Sequence, residues 1–434
     1  MLIEFRVKNH RSIREEQVLT MEAMKRLGDA DDTRPRKVVG YAEKLLPVAA
    51  IYGANASGKS NFLAAIGFMR EVVTSSFGWS PDEGIDRDPF GWGVSRSEPS
   101  LYEMTMLIED VRYQYGFVLN DEQILEEWLY AWPKKRKRIL FTRDLEKYKF
   151  GEDFVGDNEV IARVTRPNAL FLSSAPQFNH KQLVGIIRWF SRFEMIRVDL
   201  VTENIRGKIA ARNALPLMLD PEGNKDLLSK LGFNTAMIAA LKATILKSDV
   251  GIHDIRIVEK EILVESKMKL FKNLEFKHDA EDESSWIPLK EESSGTQSLI
   301  YLSPLFIRAL FYGTTVVVDE LESKLHPLLA LEIIKAFNDP STNPRNAQLI
   351  FSTHDTNLLG TVSDDTPLRR DQIWLTEKKS TGESVLFPLT EFNARKAENL
   401  ERGYLQGRYG AVPFLHELLK FEVEQSNEPT GKNS

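Results

Sequence analysis

The eight residues GANASGKS, Gly53 to Ser60, constrain this chain more than any other stretch. They match G-x-x-x-x-G-K-[ST] in full, a pattern that needs a strand before it and a helix after it. Both are legible: "LLPVAAIYG" reads as a buried strand running into the turn, and "SNFLAAIGFMREVV" carries helical apolar spacing. The glycines let loop N–H groups face phosphate oxygens with no Cβ in the way. The helix starting near Lys59 points its positive dipole end at the same spot. Lys59 then neutralises the β- and γ-phosphates, and Ser60 offers its hydroxyl to Mg²⁺. Gly53, Asn55, Ser57, Gly58, Lys59, Ser60 and Asn61 are the candidate nucleotide ligands. The competing reading is a chance glycine turn, and eight matching residues in a strand–helix setting outweigh it.

"TTVVVDE" supplies the second half of such a site. A buried strand delivers Asp319 to the metal, usually through water, because Mg²⁺ keeps most of its hydration shell. Glu320, one residue on, is placed to take a proton from an attacking water. Alone, an apolar run ending in Asp-Glu is weak, since many strands end in acids. With the phosphate loop upstream it becomes a pair.

The bulk numbers narrow the class. With 434 residues the chain can bury a sizeable core and build two or three lobes. A net charge of -6 argues against a uniformly basic nucleic-acid binder but leaves room for a local basic stripe. The absence of cysteine excludes disulfides, cysteine–zinc sites and thiol nucleophiles, and fits a reducing cytoplasm. "MLIEFRVKNHRSI" alternates like a strand and lacks a signal peptide's apolar centre. No apolar run approaches roughly 18 residues, so no membrane span is expected.

The pattern predicts an α/β fold with a mixed central sheet, an added antiparallel sheet and a helical lobe. Residues 1–180 hold the phosphate loop and the added sheet, with strands at "LYEMTMLI", "VRYQYGFVL" and "EEWLYAW" and a turn at Asn120–Asp121. Residues 181–250 read as a helical lobe, and 251–424 return to alternating helices and strands. Residues 425–434 read as a disordered tail.

Two further motifs sort the phosphate-loop class. "ESSGTQS" puts Ser294, Gly295, Thr296 and Gln297 at the head of a long apolar helix, a second anion-binding turn. "LIFSTHD" puts His354 at the end of another apolar strand. An N-cap turn and a loop histidine are the plain readings of each alone.

Taken in order, these motifs resemble the ABC-type ATPases of the SMC, RecF and OLD group. "VKNHRSI" resembles that group's first strand, where an arginine, here Arg11, touches the nucleotide. "ESSGTQS" resembles the signature loop, with Thr296 where a second glycine is common. His354 falls at the switch histidine, which contacts the γ-phosphate. "DELESKLHP" resembles the D-loop of OLD-like ATPases, with Ser323, Leu325 and His326 its candidate residues. "RRDQIWLTEK" and "RKAENLERGYLQGRYGAVP" resemble the RloA and AriA branch found in bacterial phage defence. The resemblance implies ATP and Mg²⁺ as cofactors, and a head-to-head homo-oligomer in which the signature loop completes the partner's site. It also implies a glutamine on metal and γ-phosphate. Gln177 stands ahead of Gln182 and Gln114 for that role, and a surface glutamine is the bland reading.

The resemblance implies an ATPase acting as sensor and scaffold. A separate Toprim-like nuclease would be its effector and a phage product its trigger. The chain shows no nuclease site of its own; the one late acid pair, Asp364–Asp365, lies in "SDDTP" without strand context. The alternative is a RecF-like DNA-binding ATPase in repair. The basic run Lys134 to Arg138, between Trp132 and Phe141, would then touch phosphates. A solvated hairpin tip is the reading placed above it. A chaperone-like scaffold is the third option.

Overall fold

The computed structural model describes residues 1–27, 31–197, 215–216, 218–219, 233–248, 251–264, 267–279, 281–323, 325–360, 366–392 and 398–412. The predicted tail at 425–434, the acid pair Asp364–Asp365 and residues 198–214 and 220–232 of the predicted helical lobe lie outside them.

In chain order the strands are β1 (Leu2–Lys8), β2 (Gln17–Thr20), β3 (Val48–Gly53), β4 (Ser100–Ile108), β5 (Val111–Leu119), β6 (Ile124–Trp132), β7 (Arg138–Asp144), β8 (Lys147–Phe150) and β9 (Glu194–Arg197). They continue with β10 (Asp254–Val264), β11 (Lys267–Lys277), β12 (Trp286–Pro288), β13 (Thr315–Asp319), β14 (Gln348–Ser352), β15 (Ile373–Lys378) and β16 (Ser384–Pro388). Among the described residues three sheets result, ordered β2-β1-β4-β5-β6-β7-β8, β10-β11-β12 and β16-β15-β3-β14-β13-β9. The first is antiparallel throughout. In the third, β15, β3, β14, β13 and β9 run parallel and β16 closes one side antiparallel. The fold is therefore mixed α/β, with the expected central sheet and added antiparallel sheet.

The central strands are apolar on both faces because both faces are covered. Period-two alternation sorts their side chains. Ala49, Ile51, Val317 and Ile350 enter one core with Phe62, Ile66 and Met69 of the helix Lys59–Ser75 and the inner face of the antiparallel sheet. Val48, Ala50, Tyr52, Val316, Val318, Leu349 and Phe351 enter the other. Helices Ser294–Tyr312 and Pro327–Asn338 and the short helix Leu400–Leu405 supply its opposite wall. Gln348, 1% exposed, ties the two sheets: its amide donates to the carbonyls of Leu2 (2.9 Å) and Leu46 (3.2 Å).

The predicted helical lobe needs correction at its start. Val184–Ser191 is a helix, but Leu183, Ile186, Phe190 and Phe193 are buried in the same core as Phe62, Ile66 and Met69 of the helix Lys59–Ser75. The chain then enters the central sheet as β9, pairing Val316–Asp319 with Glu194–Arg197 in parallel. A four-residue strand directly after a helix leaves too short a period-two signal to read. The helix Thr235–Ser248 stands where "NTAMIAALKATILK" predicts one, and packs with β11 against Ile300, Tyr301 and Ile307. Lys134 to Lys137 form the hairpin turn between β6 and β7. Lys137 lies 3.6 Å over the Tyr130 ring, and Arg138 pairs with Asp153. Phe141 does not flank that tip; it is fully buried in the core.

Candidate nucleotide-binding site

The site gathers at the C-terminal ends of β3, β13 and β14, adjacent in the sheet in the order β3-β14-β13. Brought together there are Gly53–Asn61, Asp319–Glu322 and Ser352–His354. This is the crevice outside the strand ends where open parallel sheets place ligands.

Gly58 caps the phosphate-loop helix at φ 116°, a left-handed conformation only glycine takes without strain. A Cβ there would also lie 2.3 Å from Ser384 Oγ. Ser57 turns inward: its hydroxyl is 2.6 Å from Thr376 Oγ1, so its side chain anchors the loop to β15. Asn61 Nδ2 donates to Ser12 Oγ (2.7 Å), which in turn accepts from Ser384 Oγ (2.8 Å). Asn55 is exposed at the loop tip. Arg11, next to Ser12, has φ 50° and pairs through Nε with Asp88 at 2.9 Å.

Lys59 is folded back on its own loop, donating to the carbonyls of Gly53 (2.8 Å) and Ala54 (3.2 Å). Its ammonium lies 3.4 Å from His354 Nδ1. Burial lowers its pKa to about 8, against the opposing pull of Glu322, Asp319 and Glu320. Burial and the Lys59 charge also lower that of His354, which therefore stands as a neutral imidazole near pH 7.

Ser60 Oγ donates to Asp319 Oδ1 at 3.1 Å, bringing the two predicted metal ligands together. Ser352, fully buried, donates to the same oxygen (2.6 Å) and accepts the Glu320 N–H (2.7 Å). That second bond holds Glu320 at φ 56°, the turn that lifts its carboxylate off the strand into solvent. Sequence reasoning missed Ser352, although a hydroxyl closing the apolar run Leu349–Phe351 is a readable signal. It also missed Thr376 and Glu322; Glu322 Oε1 accepts the His354 backbone N–H at 2.5 Å.

The other predicted residues fall elsewhere. Ser293, not Ser294, caps the helix Ser294–Tyr312, its hydroxyl accepting the Thr296 N–H at 3.1 Å. Thr296 turns its own hydroxyl to Ser293 Oγ (2.8 Å). Gln297 folds back onto the carbonyls of Glu292 (2.8 Å) and Lys290 (3.3 Å). Ser294 stays exposed and Gly295 half-exposed, at the end where a helix's first N–H groups lack intrahelical partners. Leu325 is buried in the core, Ser323 donates its N–H to the Glu320 carbonyl (2.9 Å), and His326 Nδ1 accepts from Leu328 N as the next helix's N-cap. Gln177 is exposed in the short turn Ala175–Phe178, and among the described residues no hydrogen bond joins it to Ser60 or Asp319. The strand that ends beside Asp319 is β9, which lies after Gln177 with a helix between them. Gln182 is spent on Val155 N and Asp153 O, and Gln114 lies within β5.

With this geometry in place, a family described as "AAA domain, putative AbiEii toxin, Type IV TA system" matches residues 48–360. The chain belongs to this AAA family. The match spans Gly53–Ser60, Asp319, Glu320 and His354. Among solved structures, the domain is similar to an SmcHead bound to the C-winged helix domain of ScpA, at 14% identity and a TM-score of 0.45, covering 90% of this chain and 99% of that one. It is also similar to the Smc head domain with an extended coiled coil, bound to the C-terminal domain of ScpA, from Pyrococcus furiosus. There the identity is 14%, the TM-score 0.38 and the coverage 90% and 97%. No curated protein matches significantly by sequence. Among the described residues, no helix of this AAA domain is long and apolar enough to cross a membrane.

Proposed function

We propose that the chain binds ATP with Mg²⁺ at this crevice and hydrolyses it as an ABC-type head, in a dimer that closes on nucleotide. The observation that carries the reading is the Ser60–Asp319 contact at 3.1 Å, with Lys59, Glu320 and His354 around it. A hydroxyl and a carboxylate are hard oxygen donors, and two protein ligands plus phosphates and water are what Mg²⁺ takes. Among the described residues no cluster of three acids or histidines offers an all-protein metal cage, which fits an ion shared with a nucleotide. When bound, Mg²⁺ offsets phosphate charge.

The chain's own residues do the rest. Lys59 moves its ammonium from the carbonyls of Gly53 and Ala54 to the phosphates. Glu320, exposed, takes the proton of the attacking water. His354, neutral, offers a ring nitrogen to the γ-phosphate side. The exposed Ser294–Gly295 helix start caps the nucleotide of a second copy, and hydrolysis removes that bridge.

The biological setting we propose is phage defence of the RloA and AriA kind. The chain would act as sensor and scaffold for a separate Toprim-like nuclease and answer a phage-encoded trigger. Support comes from the sequence resemblance and from the family description, which names a toxin of a Type IV system. Glu320→Gln tests the enzymatic reading: ATP-bound dimers accumulate and turnover stops, as read by size and phosphate release. Wild-type turnover in that variant removes Glu320 from its role. Co-purification with a neighbour-encoded nuclease tests the setting. Salt-dependent DNA binding that collapses when Lys134 to Arg138 are neutralised would favour DNA repair instead.

A further inference from the structure

We infer that Glu322 is a positioning residue, which sets the switch histidine by holding its backbone. This rests on the ATPase reading of His354 given above.

Glu322 lies three residues past the strand β13, and His354 two past β14, its parallel neighbour. The two turns are therefore side by side. Glu322 Oε1 accepts the His354 N–H at 2.5 Å. A carboxylate bonded to a backbone amide is a charge-assisted contact, stronger than a neutral one. The turn that carries Glu322 is itself fixed. Leu321 donates its N–H to the Ser352 carbonyl (3.1 Å), Ser323 to that of Glu320 (2.9 Å) and Leu325 to that of Glu322 (3.1 Å). Fixing the His354 amide fixes its Cα, and with it the ring whose Nδ1 lies 3.4 Å from Lys59 Nζ.

Two observations argue against a third catalytic carboxylate. One Glu322 oxygen is committed to the amide. The other, Oε2, is buried from solvent and has no hydrogen-bond partner among the described residues, so no water reaches it to be activated. Glu320, by contrast, is exposed.

The test uses the full chain and two variants. Glu322→Gln keeps a carbonyl oxygen to accept the amide, and Glu322→Ala removes it. We expect Glu322→Ala to lower kcat about tenfold with KM for ATP within about twofold, the loss of one hydrogen bond to a charged group. Glu322→Gln should recover kcat to within about threefold of wild type. Adding Glu322→Ala to His354→Ala should cost no more than about twofold further, since both act through one ring. Amide hydrogen exchange over Ser352–Asp355, without nucleotide, should speed up in Glu322→Ala and not in Glu322→Gln. Equal kcat losses in the two variants, additive losses with His354→Ala, or unchanged exchange in Glu322→Ala would each overturn the inference. If the wild-type chain releases no phosphate, the ATPase reading falls, and the exchange comparison alone decides whether Glu322 holds His354.

Discussion

Ser352→Ala is the most informative single change outside the nucleotide ligands. It removes one oxygen atom from a fully buried position. That oxygen makes two bonds, one to the Asp319 carboxylate at 2.6 Å and one from the Glu320 N–H at 2.7 Å. A hydrogen bond to a charged group contributes about 1.5–3 kcal/mol, and an unpaired buried N–H costs about 1 kcal/mol or more. Glu320 sits at φ 56°, a conformation costing a non-glycine residue roughly 1 kcal/mol unless its surroundings hold it. The expected loss is therefore about 2–4 kcal/mol of stability. Catalysis should fall further than stability suggests, because the same oxygen aims both carboxylates. We expect kcat to drop at least about tenfold. Urea unfolding followed by fluorescence gives the first number from the shift in midpoint at constant slope. Phosphate release at saturating ATP gives the second. Ser352→Thr, which keeps the hydroxyl, should recover most of both. An unchanged midpoint together with unchanged turnover in Ser352→Ala would refute the reasoning.

Three other outcomes follow from the same geometry. Gly58→Ala forces a Cβ to within 2.3 Å of Ser384 Oγ at φ 116°, so nucleotide affinity should collapse in a titration calorimeter and stability should fall by about 1–3 kcal/mol. His10 is buried against Tyr102, and burial lowers its pKa to about 3, with Arg11 adding and Asp88 opposing. Its unfolded form therefore binds the proton first. Stability is full above about pH 6.5, its unfolded value, and drains away as pH falls from there toward about 3. His10→Gln should flatten an acid-unfolding profile in that window. Glu127 and Arg143 form a buried pair 3.7 Å apart, and Glu127 also accepts from Phe171 N, Leu172 N and Tyr115 OH. Arg143→Met strands the carboxylate and should cost about 3–5 kcal/mol in chemical denaturation.

The chemistry of this site was legible where chemistry fixes spacing. A phosphate loop needs its glycines and its Lys-Ser at set offsets, and the acids must follow an apolar strand. Asp319 therefore ends its strand, and His354 follows two residues after its own, as "TTVVVDE" and "LIFSTHD" suggest. The supports were not legible, because each is a contact between segments far apart in the chain. Ser352 meets Asp319 across 33 residues and Ser57 meets Thr376 across 319, and nothing in either local pattern marks the partner. Gln177 illustrates the limit of order along a chain. It precedes the acidic strand in the chain, yet the outer neighbour of that strand is β9, which the sequence hid inside a helical stretch.

That neighbour has a mechanical meaning. Among the described residues β9 is an edge strand, held to the sheet by one parallel ladder, and its last residue, Arg197, stands in register with Asp319. Residue 198 continues directly from it into the middle of the chain. A load applied at Arg197 falls on a ladder of four residue pairs, the last of them Arg197 with Asp319. A slip of one residue is about 3.3 Å, longer than the 3.1 Å contact between Asp319 and Ser60. The edge strand is in effect a tendon inserted beside Asp319.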